Sequence, residues 1–471
     1  MRTIIRNAFI VTVDPDLGNI DGCDLLIVDD RIEAIGKSLD VSDAHEIDGT
    51  DFLVMPGFVD AHRHIWQGAM RGVCADWSLF NYLGGIRMNA AAAYGPDDMY
   101  AAQLHGALEA IDAGVTTVTD YCHNINSQDH AHEAIRGVKE SGLRVIWNFG
   151  FNRPPVDRPG FSTLAERSDF ARQLAKTYFT GKDDLVTMGV APEESVLWPG
   201  TDTAKVQFDL ARELGARIFW HCNALTHNGT WMRDVAAIRE MGLLGDDMVL
   251  VHMHFTQDDE WRMVADAGAA VAYTPDTELQ MGMQWPRTQK ARSFGIVQGY
   301  GADITSNNSD DLFFPLRAAL QIERCRINEA HEGGMYDGVP ISSAEALRWG
   351  TIDGAKALGL DSRVGSLTPG KQADIVMLRM DSLSMTGWPR DNPEGTVLLQ
   401  ASVKDVDTVF VAGRKMKENG KMLGDVERAK RLLLAAHHRV RTAVEQRGGF
   451  YVPPDKTIDR MEATRSSVGA R

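Results

Sequence analysis

The sequence predicts an α/β fold in which a (β/α)8 TIM barrel is joined to a small β-sandwich built from both ends of the chain. Roughly 300 central residues alternate short apolar runs with helical patterns, which is typical of βα units. Several of the helical patterns stop at a small residue followed by glycine, as at Ala113-Gly114 and Ser141-Gly142. Strand-like segments occupy both ends, and since neither end can bury a core alone, we expect the two to pair.

Eight strands are expected in the central region, the number that a closed (β/α)8 barrel requires. Two of them end just before His62 and Asp303. The others are predicted at residues 116–119, 144–149, 186–190, 217–220, 249–251 and 270–273. Helices are predicted between strands, among them residues 99–113, 128–141, 202–214 and 257–267.

The ends of the chain carry strand patterns of a different kind. Residues 24–28 and 31–35 flank Asp29-Asp30 as a hairpin would, and residues 373–378 and 406–411 form two further strands. We therefore predict three regions. They are a composite β-sandwich (residues 1–56 and 362–425), the barrel (residues 57–361), and a C-terminal helix with a tail (residues 426–471).

Composition excludes several classes of partner. Of 471 residues 44% are hydrophobic and 24% are charged, which is enough apolar material for a large buried core. The net charge of -16 argues against binding to nucleic acid or to an anionic membrane surface. Five scattered cysteines, an odd number without a CxxC pair, suit a reducing compartment, and the first residues lack a secretory pattern. We expect a cytoplasmic protein that acts on a small molecule.

The most informative segment is residues 56–64, in which an apolar run ends in His62-Arg63-His64. Side chains alternate faces along a strand, so the two histidines point the same way and Arg63 points opposite. Two neutral imidazoles side by side make half of a divalent metal site.

Further candidate donors follow other predicted strands. His221, His252 and Asp303 each stand where a short apolar run gives way to a loop. In a parallel barrel the carboxyl ends of the strands converge on one face, where active sites are built. The order and the spacing of these residues therefore predict a single site on that face.

These motifs resemble those of the amidohydrolase superfamily. The likeness rests on His62-Arg63-His64 after residues 56–60, on His221, His252 and Asp303 in order, and on the closing segment 365–374. Within the superfamily, residues 66–72 and 306–313 are most similar to the branch of cytosine, guanine and S-adenosylhomocysteine deaminases and of triazine hydrolases (chlorohydrolases).

The resemblance implies one divalent ion held by His62, His64, His221 and Asp303, with zinc favoured and iron or manganese open. Such an ion lowers the pKa of a water to ~7 and so supplies hydroxide. The resemblance also implies that Asp303 takes a proton from this water and that His252 polarises the water or steadies the oxyanion. It further implies a homodimer or homotetramer.

The sequence departs from the branch at Ala224, where relatives carry a glutamate that moves protons to the leaving group. Glu193 and Glu278 are the candidate substitutes, since each follows a predicted strand. Both are also candidate substrate contacts. The remaining candidate contacts are Trp66, Gln67, His123, Asn223 and Trp285.

We therefore expect a metal-dependent hydrolase that attacks an sp² carbon of a small nitrogen heterocycle, with deamination as the favoured reaction. The alternative enzyme is a dechlorinating, dealkylating or carbamate- or urea-cleaving hydrolase of the triazine-hydrolase type, whose leaving group needs little protonation. A metal-free scaffold or binding protein is the alternative from another class, and the full set of donors speaks against it.

Overall fold

The computed structural model describes residues 2–152, 160–181, 184–194, 196–197, 203–227, 230–334, 337–453 and 455–457. Within these residues the chain forms a closed eight-stranded barrel and a separate sheet made from both termini. The α/β barrel prediction is therefore confirmed. No helix in the described ranges combines the length and apolar character that a membrane crossing requires.

The N-terminal region supplies five strands, and a hairpin joins β2 to β3 as predicted. Their bounds are β1 Arg2–Val11, β2 Asn19–Val28, β3 Arg31–Gly36, β4 His45–Asp48 and β5 Phe52–Pro56.

The barrel strands follow in chain order, with a small two-stranded hairpin inserted after the fifth of them. Neighbouring strands in the barrel are parallel, and their residues are almost all buried, as expected for strands covered on both faces. Their bounds are β6 Phe58–Arg63, β7 Val115–Cys122, β8 Arg144–Gly150, β9 Val186–Ala191, β10 Ile218–Cys222, β13 Met248–His252, β14 Ala270–Tyr273 and β15 Gln298–Tyr300, with the hairpin strands β11 Thr226–His227 and β12 Thr230–Trp231.

The C-terminal region returns to the first sheet. Strand β16 pairs antiparallel with β5, which joins the two ends of the chain into one nine-stranded sheet within the described residues. The bounds are β16 Ile375–Arg379, β17 Val406–Val411, β18 Arg414–Glu418 and β19 Lys421–Met422. The predicted pairing of the two termini is thus confirmed. The exact domain boundaries stay predictions.

Helices pack around the barrel and against the sheet. Their bounds are α1 Leu79–Tyr82, α2 Pro96–Asp112, α3 Gln128–Ser141, α4 Leu164–Tyr178, α5 Ala204–Glu213, α6 Asp234–Glu240, α7 Asp258–Ala267, α8 Pro275–Gln280, α9 Thr288–Ser293, α10 Phe313–Glu329, α11 Ser343–Trp349, α12 Ile352–Ala357, α13 Pro393–Leu399 and α14 Val426–Gln446. A π-helical segment, Leu83–Ala90, and short 3-10 turns at Ile65–Met70, Ala91–Ala93 and Val403–Asp405 complete the described elements.

Glycine stop signals behave as the sequence predicts. Helices α3 and α7 end at Gly142 (φ 77°) and Gly268 (φ 71°), both in the left-handed conformation that glycine adopts at little cost. Helix α2 starts three residues before its predicted start at Met99. Pro96 fits the first helical turn, and the Asp98 side chain accepts a hydrogen bond from the Gly95 amide.

A buried ion pair connects the barrel to the terminal sheet. The Arg144 guanidinium, at the start of β8, donates to both carboxylate oxygens of Asp374 at 2.8 and 3.2 Å. Asp374 directly precedes β16 and also accepts the Ala412 amide at 2.8 Å. Both side chains are only 2% exposed, so if one charge is removed, water cannot solvate the other.

Arg144→Ala should therefore lower the free energy of unfolding by about 3–5 kcal/mol, because it leaves the Asp374 carboxylate buried and unpaired. Urea denaturation followed by circular dichroism measures the change. Arg441→Ala is the matched control, since Arg441 pairs with Glu445 on the exposed face of α14. It should change stability by less than about 1 kcal/mol. Equal effects of the two substitutions would contradict the structural role of Arg144.

A close approach of two backbone segments closes the barrel between β15 and β6. A Cβ atom on Gly301 would lie 2.3 Å from the carbonyl oxygen of His62 and 2.6 Å from Oδ1 of Asp60. Both atoms are held in place, so nothing can move aside cheaply. The residue after β15 must therefore be glycine for the barrel to close.

Gly301→Ala should destabilise the protein by about 1–3 kcal/mol or more through this overlap. Thermal unfolding and urea denaturation both report the loss. Gly68→Ala serves as control, since its nearest neighbour would be a Leu433 methyl at 3.8 Å, an ordinary contact. If Gly301→Ala were as stable as the control, the proposed closing contact would be wrong.

Candidate metal centre and active-site cavity

Backbone hydrogen bonds place Asp303 between His62 in β6 and His64 just after it. The Asp303 amide donates to the His62 carbonyl at 3.0 Å, and its carbonyl accepts from the His64 amide at 2.7 Å. Asp303 adopts a left-handed backbone (φ 64°), which turns its side chain toward those histidines. Three of the predicted donors thus meet because β15 continues alongside β6.

The other two candidates come from neighbouring parallel strands. His221 on β10 lies opposite Val251 on β13, and Cys222 lies opposite His252. Asn223, His252 and Met253 all have positive φ values, between 49° and 73°. Such conformations cost of order 1–3 kcal/mol each in a residue other than glycine, and they cluster at functional sites. Here they redirect the chain where strands become loops.

Four acceptor atoms converge at the strand ends. Oδ1 of Asp303 lies 3.4 Å from Nε2 of His62 and 3.4 Å from Nε2 of His64. Nε2 of His221 lies 3.2 Å from Nε2 of His62. A ring nitrogen of His252 lies within 4.8 Å of nitrogens of His62 and His221. The structure therefore brings together all the residues that the sequence nominated as metal donors, with His252 beside them.

Outer contacts fix the orientation of three of the rings. The Nδ1–H of His64 donates to the carbonyl oxygen of Tyr121 at 2.8 Å, which leaves Nε2 with a lone pair. His221 Nδ1 contacts Glu194 at 2.9 Å, and His252 Nδ1 contacts Glu278 at 3.1 Å. Carboxylates or carbonyls bound to Nδ1 are the usual way in which proteins aim Nε2 at a metal.

The donor chemistry fits a divalent cation. Three imidazole nitrogens and one carboxylate oxygen make a set that zinc and related first-row ions accept. Their mutual approach is unfavourable without a positive charge among them, since each presents a lone pair. Burial lowers the pKa values of His64 and His221, the latter to about 4, so both rings are neutral acceptors at physiological pH.

The pKa values of two groups in the centre, Asp303 and His252, are shifted in opposite directions. Burial opposes ionisation of Asp303, yet His62 and the neighbouring rings outweigh it and lower the Asp303 pKa. Burial likewise opposes protonation of His252, but Glu278 and Asp303 outweigh it and raise the His252 pKa. The centre thus combines an ionised carboxylate with a ring that readily carries a proton, the pairing that general acid–base catalysis needs.

A cavity of about 470 Å³, its open mouth included, adjoins the centre. His64, His221, His252 and Asp303 form part of its lining. The rest is mainly apolar, with one charged pair, and consists of Leu79, Tyr82, Leu83, Arg87, Glu194, Ala224, Leu225, Thr277, Met281, Met283 and Ile304. Such a lining suits a small, largely apolar ligand with few polar groups.

The structure places Glu193 away from this lining. Its Oε1 accepts from Nε2 of Gln207 at 2.9 Å, and its amide donates to Gln207 Oε1 at 3.0 Å. The next residue, Glu194, lines the cavity instead and bonds both His221 and Nη1 of Arg87, each at 2.9 Å. Both glutamates follow the end of β9 at Ala191, so their place after the strand did not decide which of them lines the cavity.

Three other nominated contacts support the centre from behind. Trp66 donates from Nε1 to Nδ1 of His123 at 2.9 Å, and the His123 ring stacks on His64 with centroids 4.1 Å apart. Gln67 bridges Tyr82 and Ser306 at 2.7 and 2.6 Å. All three side chains are buried and none belongs to the lining of this cavity, so their direct contact with substrate stays a prediction.

The last three nominated contacts also lie off the lining. Asn223 clamps Asp234 and Thr256 through backbone and side-chain hydrogen bonds. Glu278 is fully buried behind His252. Trp285 is 38% exposed, and the guanidinium of Arg326 stacks over its ring at 4.1 Å. The bulky cavity side chains that sequence reasoning missed come instead from α1, the π-helical segment and the loop after α8.

Arg87 and Glu194 were missed for different reasons. Arg87 belongs to the π-helical segment, whose apolar spacing gives no sign that one charged side chain is buried. Glu194 directly follows the nominated Glu193 in the sequence. Only the three-dimensional contacts of the two side chains show which of them lines the cavity. Burial opposes ionisation of Glu194, but Arg87 and His221 outweigh it and hold the pKa of Glu194 well below its usual range.

A buried charge network lies beneath the centre. Arg63, the residue between the two histidines, pairs with Asp60 at 2.7 Å and with Asp310 at 3.0 Å. Asp60 also accepts the amides of His62 and Ala302. The side chain opposite the histidines therefore ties β6 to the loop that carries Asp303.

Known proteins with similar sequences cover nearly the whole chain. A 5'-deoxyadenosine deaminase of Methanothermobacter thermautotrophicus is 27% identical over 415 residues, 86% of this chain and 92% of the relative. A 5-methylthioadenosine/S-adenosylhomocysteine deaminase of Syntrophus aciditrophicus is 25% identical over 437 residues, 89% of this chain and 93% of the relative.

Solved structures share the fold. A zinc-bound adenosine deaminase from Xanthomonas campestris superimposes with a TM-score of 0.80 at 21% identity, covering 93% of this chain and 98% of that chain. Zinc-bound atrazine chlorohydrolase from Arthrobacter aurescens gives a TM-score of 0.79 at 22% identity, covering 92% and 100%. The family model for the amidohydrolase family matches residues 53–416. The chain therefore belongs to the amidohydrolase family, whose members are metal-dependent hydrolases.

Proposed function

We propose that this protein is a zinc-dependent deaminase that hydrolyses an amino group from a ring carbon of a small nitrogen heterocycle. The observation that carries the proposal is the convergence of His62, His64, His221 and Asp303, the last three of which line a mainly apolar cavity. Sequence relatives named as deaminases, and a zinc-bound adenosine deaminase of the same fold, support both the reaction and the metal.

Bound at these four donors, the zinc ion would supply a Lewis acid that lowers the pKa of a water to about 7. Asp303 is ionised beside that position and would accept the first proton of such a water. His252, held by Glu278 through Nδ1, borders the cavity and donates to the oxygen that becomes negative in the tetrahedral intermediate.

The leaving amine must gain a proton, and Ala224 cannot provide it. Glu194 is the carboxylate that lines the same cavity, and it is ionised because Arg87 and His221 stabilise its charge. We assign to Glu194 the second proton of the water, which it takes from the hydroxyl of the tetrahedral intermediate and gives to the amine that leaves as ammonia. The first proton, accepted by Asp303, passes to the ring nitrogen. Glu193, bound to Gln207, and Glu278, bound to His252, serve as supports in this scheme.

Ala224 itself favours a second candidate function. A cavity without a carboxylate at position 224 suits a leaving group that departs with little protonation, such as chloride or a thiolate. This protein would then resemble the triazine hydrolases in reaction as well as in fold. A substituted triazine would fit the same apolar lining.

Cellular setting and assembly are further parts of the proposal. Four of the five cysteines are buried and all five are free, which supports a reducing cytoplasm. The net charge of -16 supports the absence of a nucleic-acid or membrane partner. By its resemblance to the superfamily we infer a homodimer or homotetramer.

The test of function is a panel of aminopurines, aminopyrimidines, pterins and triazines offered to zinc-loaded protein, with ammonia, amine and chloride measured in parallel. Ammonia from one class of ring is the expected result. Release of chloride or alkylamine without ammonia would favour the triazine-hydrolase candidate instead. If the protein binds no zinc when it is expressed with ample metal, the result would favour a metal-free scaffold or binding protein.

Metal removal should abolish the activity and leave the fold in place, since strand pairing and a large apolar cluster hold the barrel independently of the donors. We expect dialysis against a chelator to remove about one equivalent of zinc per chain together with all turnover. Added zinc should restore both. Full activity in the metal-free protein, checked by metal analysis, would rule out the proposed chemistry.

Glu194→Gln should lower kcat by ~10²–10⁴ with KM changed much less, because it removes a proton-transfer group. Glu193→Gln is the matched neighbour and should cost less than tenfold in kcat, on the order of one hydrogen bond. Zinc content must be measured in both variants, since Glu194 also orients His221. If Glu193→Gln proved the more damaging substitution, our assignment would be reversed.

A further inference from the structure

A second cavity, of about 1120 Å³ with its open mouth included, lies among α7, α9 and α10. It shares no lining residue with the active-site cavity. Its polar lining includes His254, Arg287, Lys290, Glu323 and Arg326, and Trp231 lies at its aromatic wall. Neither the proposed reaction nor the metal centre uses any of these side chains.

Two guanidinium groups line this cavity, and the carboxylate of Glu323 on the same lining interacts with both at longer range. Arg326 and Arg287 lie over the ring of Trp285, at 4.1 and 5.7 Å from its centroid. Across the described ranges, no carboxylate lies within 4.0 Å of either group, whereas Lys290 pairs with Asp258 at 2.7 Å. Burial, and repulsion by Arg326, lower the pKa of Arg287. Arg287 also donates to the carbonyl oxygen of His254 at 3.3 Å and to Oε1 of Gln284 at 2.5 Å. The two arginines and Lys290 outnumber the two carboxylates of the lining, so this wall keeps a positive charge that attracts an anion.

Two buried polar groups on the lining also lack hydrogen-bond partners. His254 and Glu323 are each only 1% exposed. Neither ring nitrogen of His254 forms a hydrogen bond within the described structure, and the same is true of Oε1 of Glu323. Buried polar atoms are rarely left unsatisfied in folded proteins. Water in the cavity can donate to Oε1 of Glu323, whereas Nε2 of His254 lies 3.6 Å from a carboxylate oxygen of Glu278.

The aromatic side chains of the cavity indicate which apolar group the ligand carries. The rings of Trp231 and Phe255 lie nearly parallel, at an interplanar angle of 14°, and Trp231 is 44% exposed. A flat apolar group can therefore stack on this wall. Asp258 and Glu323, on the same lining, disfavour a second negative charge on the ligand. A monoanion suits the cavity better than a phosphate dianion does.

We propose that the second cavity binds a small aromatic carboxylate, with its carboxylate between Arg287 and Arg326 and its ring against Trp231. The planar fork of a guanidinium matches a carboxylate in two hydrogen bonds. The cavity adjoins the active site, because His254 Nε2 lies 3.6 Å from the Glu278 oxygen that holds His252. A ligand here would lie one side chain away from that carboxylate.

The experiment uses benzoate as probe and full-length zinc-loaded protein at low ionic strength, with binding followed by calorimetry and by tryptophan fluorescence. One saturable equivalent is expected. Arg287→Gln and Arg326→Gln should each weaken benzoate binding by about tenfold or more, since each loses a charge-assisted hydrogen bond. Arg262→Gln removes the same charge from an exposed position on α7 outside the lining, and it should leave the affinity unchanged.

Neutral benzamide should bind at least tenfold more weakly than benzoate, on the order of one charge-assisted contact. Arg326→Lys keeps the charge but loses the fork, so its affinity should fall between those of the wild type and Arg326→Gln. No saturable binding, or equal binding to wild type and to both glutamine variants, would overturn the proposal. So would tighter binding of inorganic phosphate than of benzoate. Benzoate held at the metal centre would show itself as insensitivity to both arginine variants.

Discussion

The crowding of four lone-pair donors at one point is the constraint on which the rest of the site depends. His62, His64, His221 and Asp303 place ring nitrogens and a carboxylate oxygen at 3.2–3.4 Å separations, where they repel one another unless a cation lies among them. The fold must hold them there before the ion arrives. Closure of the barrel does so, because the Asp303 backbone is hydrogen-bonded between the two histidines of β6.

Support for this arrangement is built from buried charge. Arg63 joins Asp60 and Asp310 beneath the centre, and Arg87 joins Glu194 at its side. Buried ion pairs contribute little net stability compared with apolar residues of the same volume, because desolvation offsets the attraction. Their value here is geometric. Losing one partner would leave a charge stranded, so each pair tolerates few alternative positions of the backbone it joins.

The sequence predicted what depends on strand periodicity and failed where periodicity ends. His62 and His64 could be paired on one face because both lie inside or at the end of β6, and the barrel strands followed from apolar runs. Glu193 could not be separated from Glu194, since alternation stops at Ala191. The apolar cavity wall near α1 could not be predicted from the sequence either. The π-helical segment beside it has no regular spacing of apolar residues that a sequence pattern reveals.

The departure at Ala224 has a structural counterpart at the end of the neighbouring strand. A glutamate at position 224 would stand in the loop after β10. Glu194 follows β9 and is bound at once to His221, a metal donor, and to Arg87. Any change in its charge therefore also changes the support of His221. Under the proposed role of Glu194, proton transfer and metal affinity are therefore coupled, and the small Ala224 leaves space beside Leu225 in the cavity.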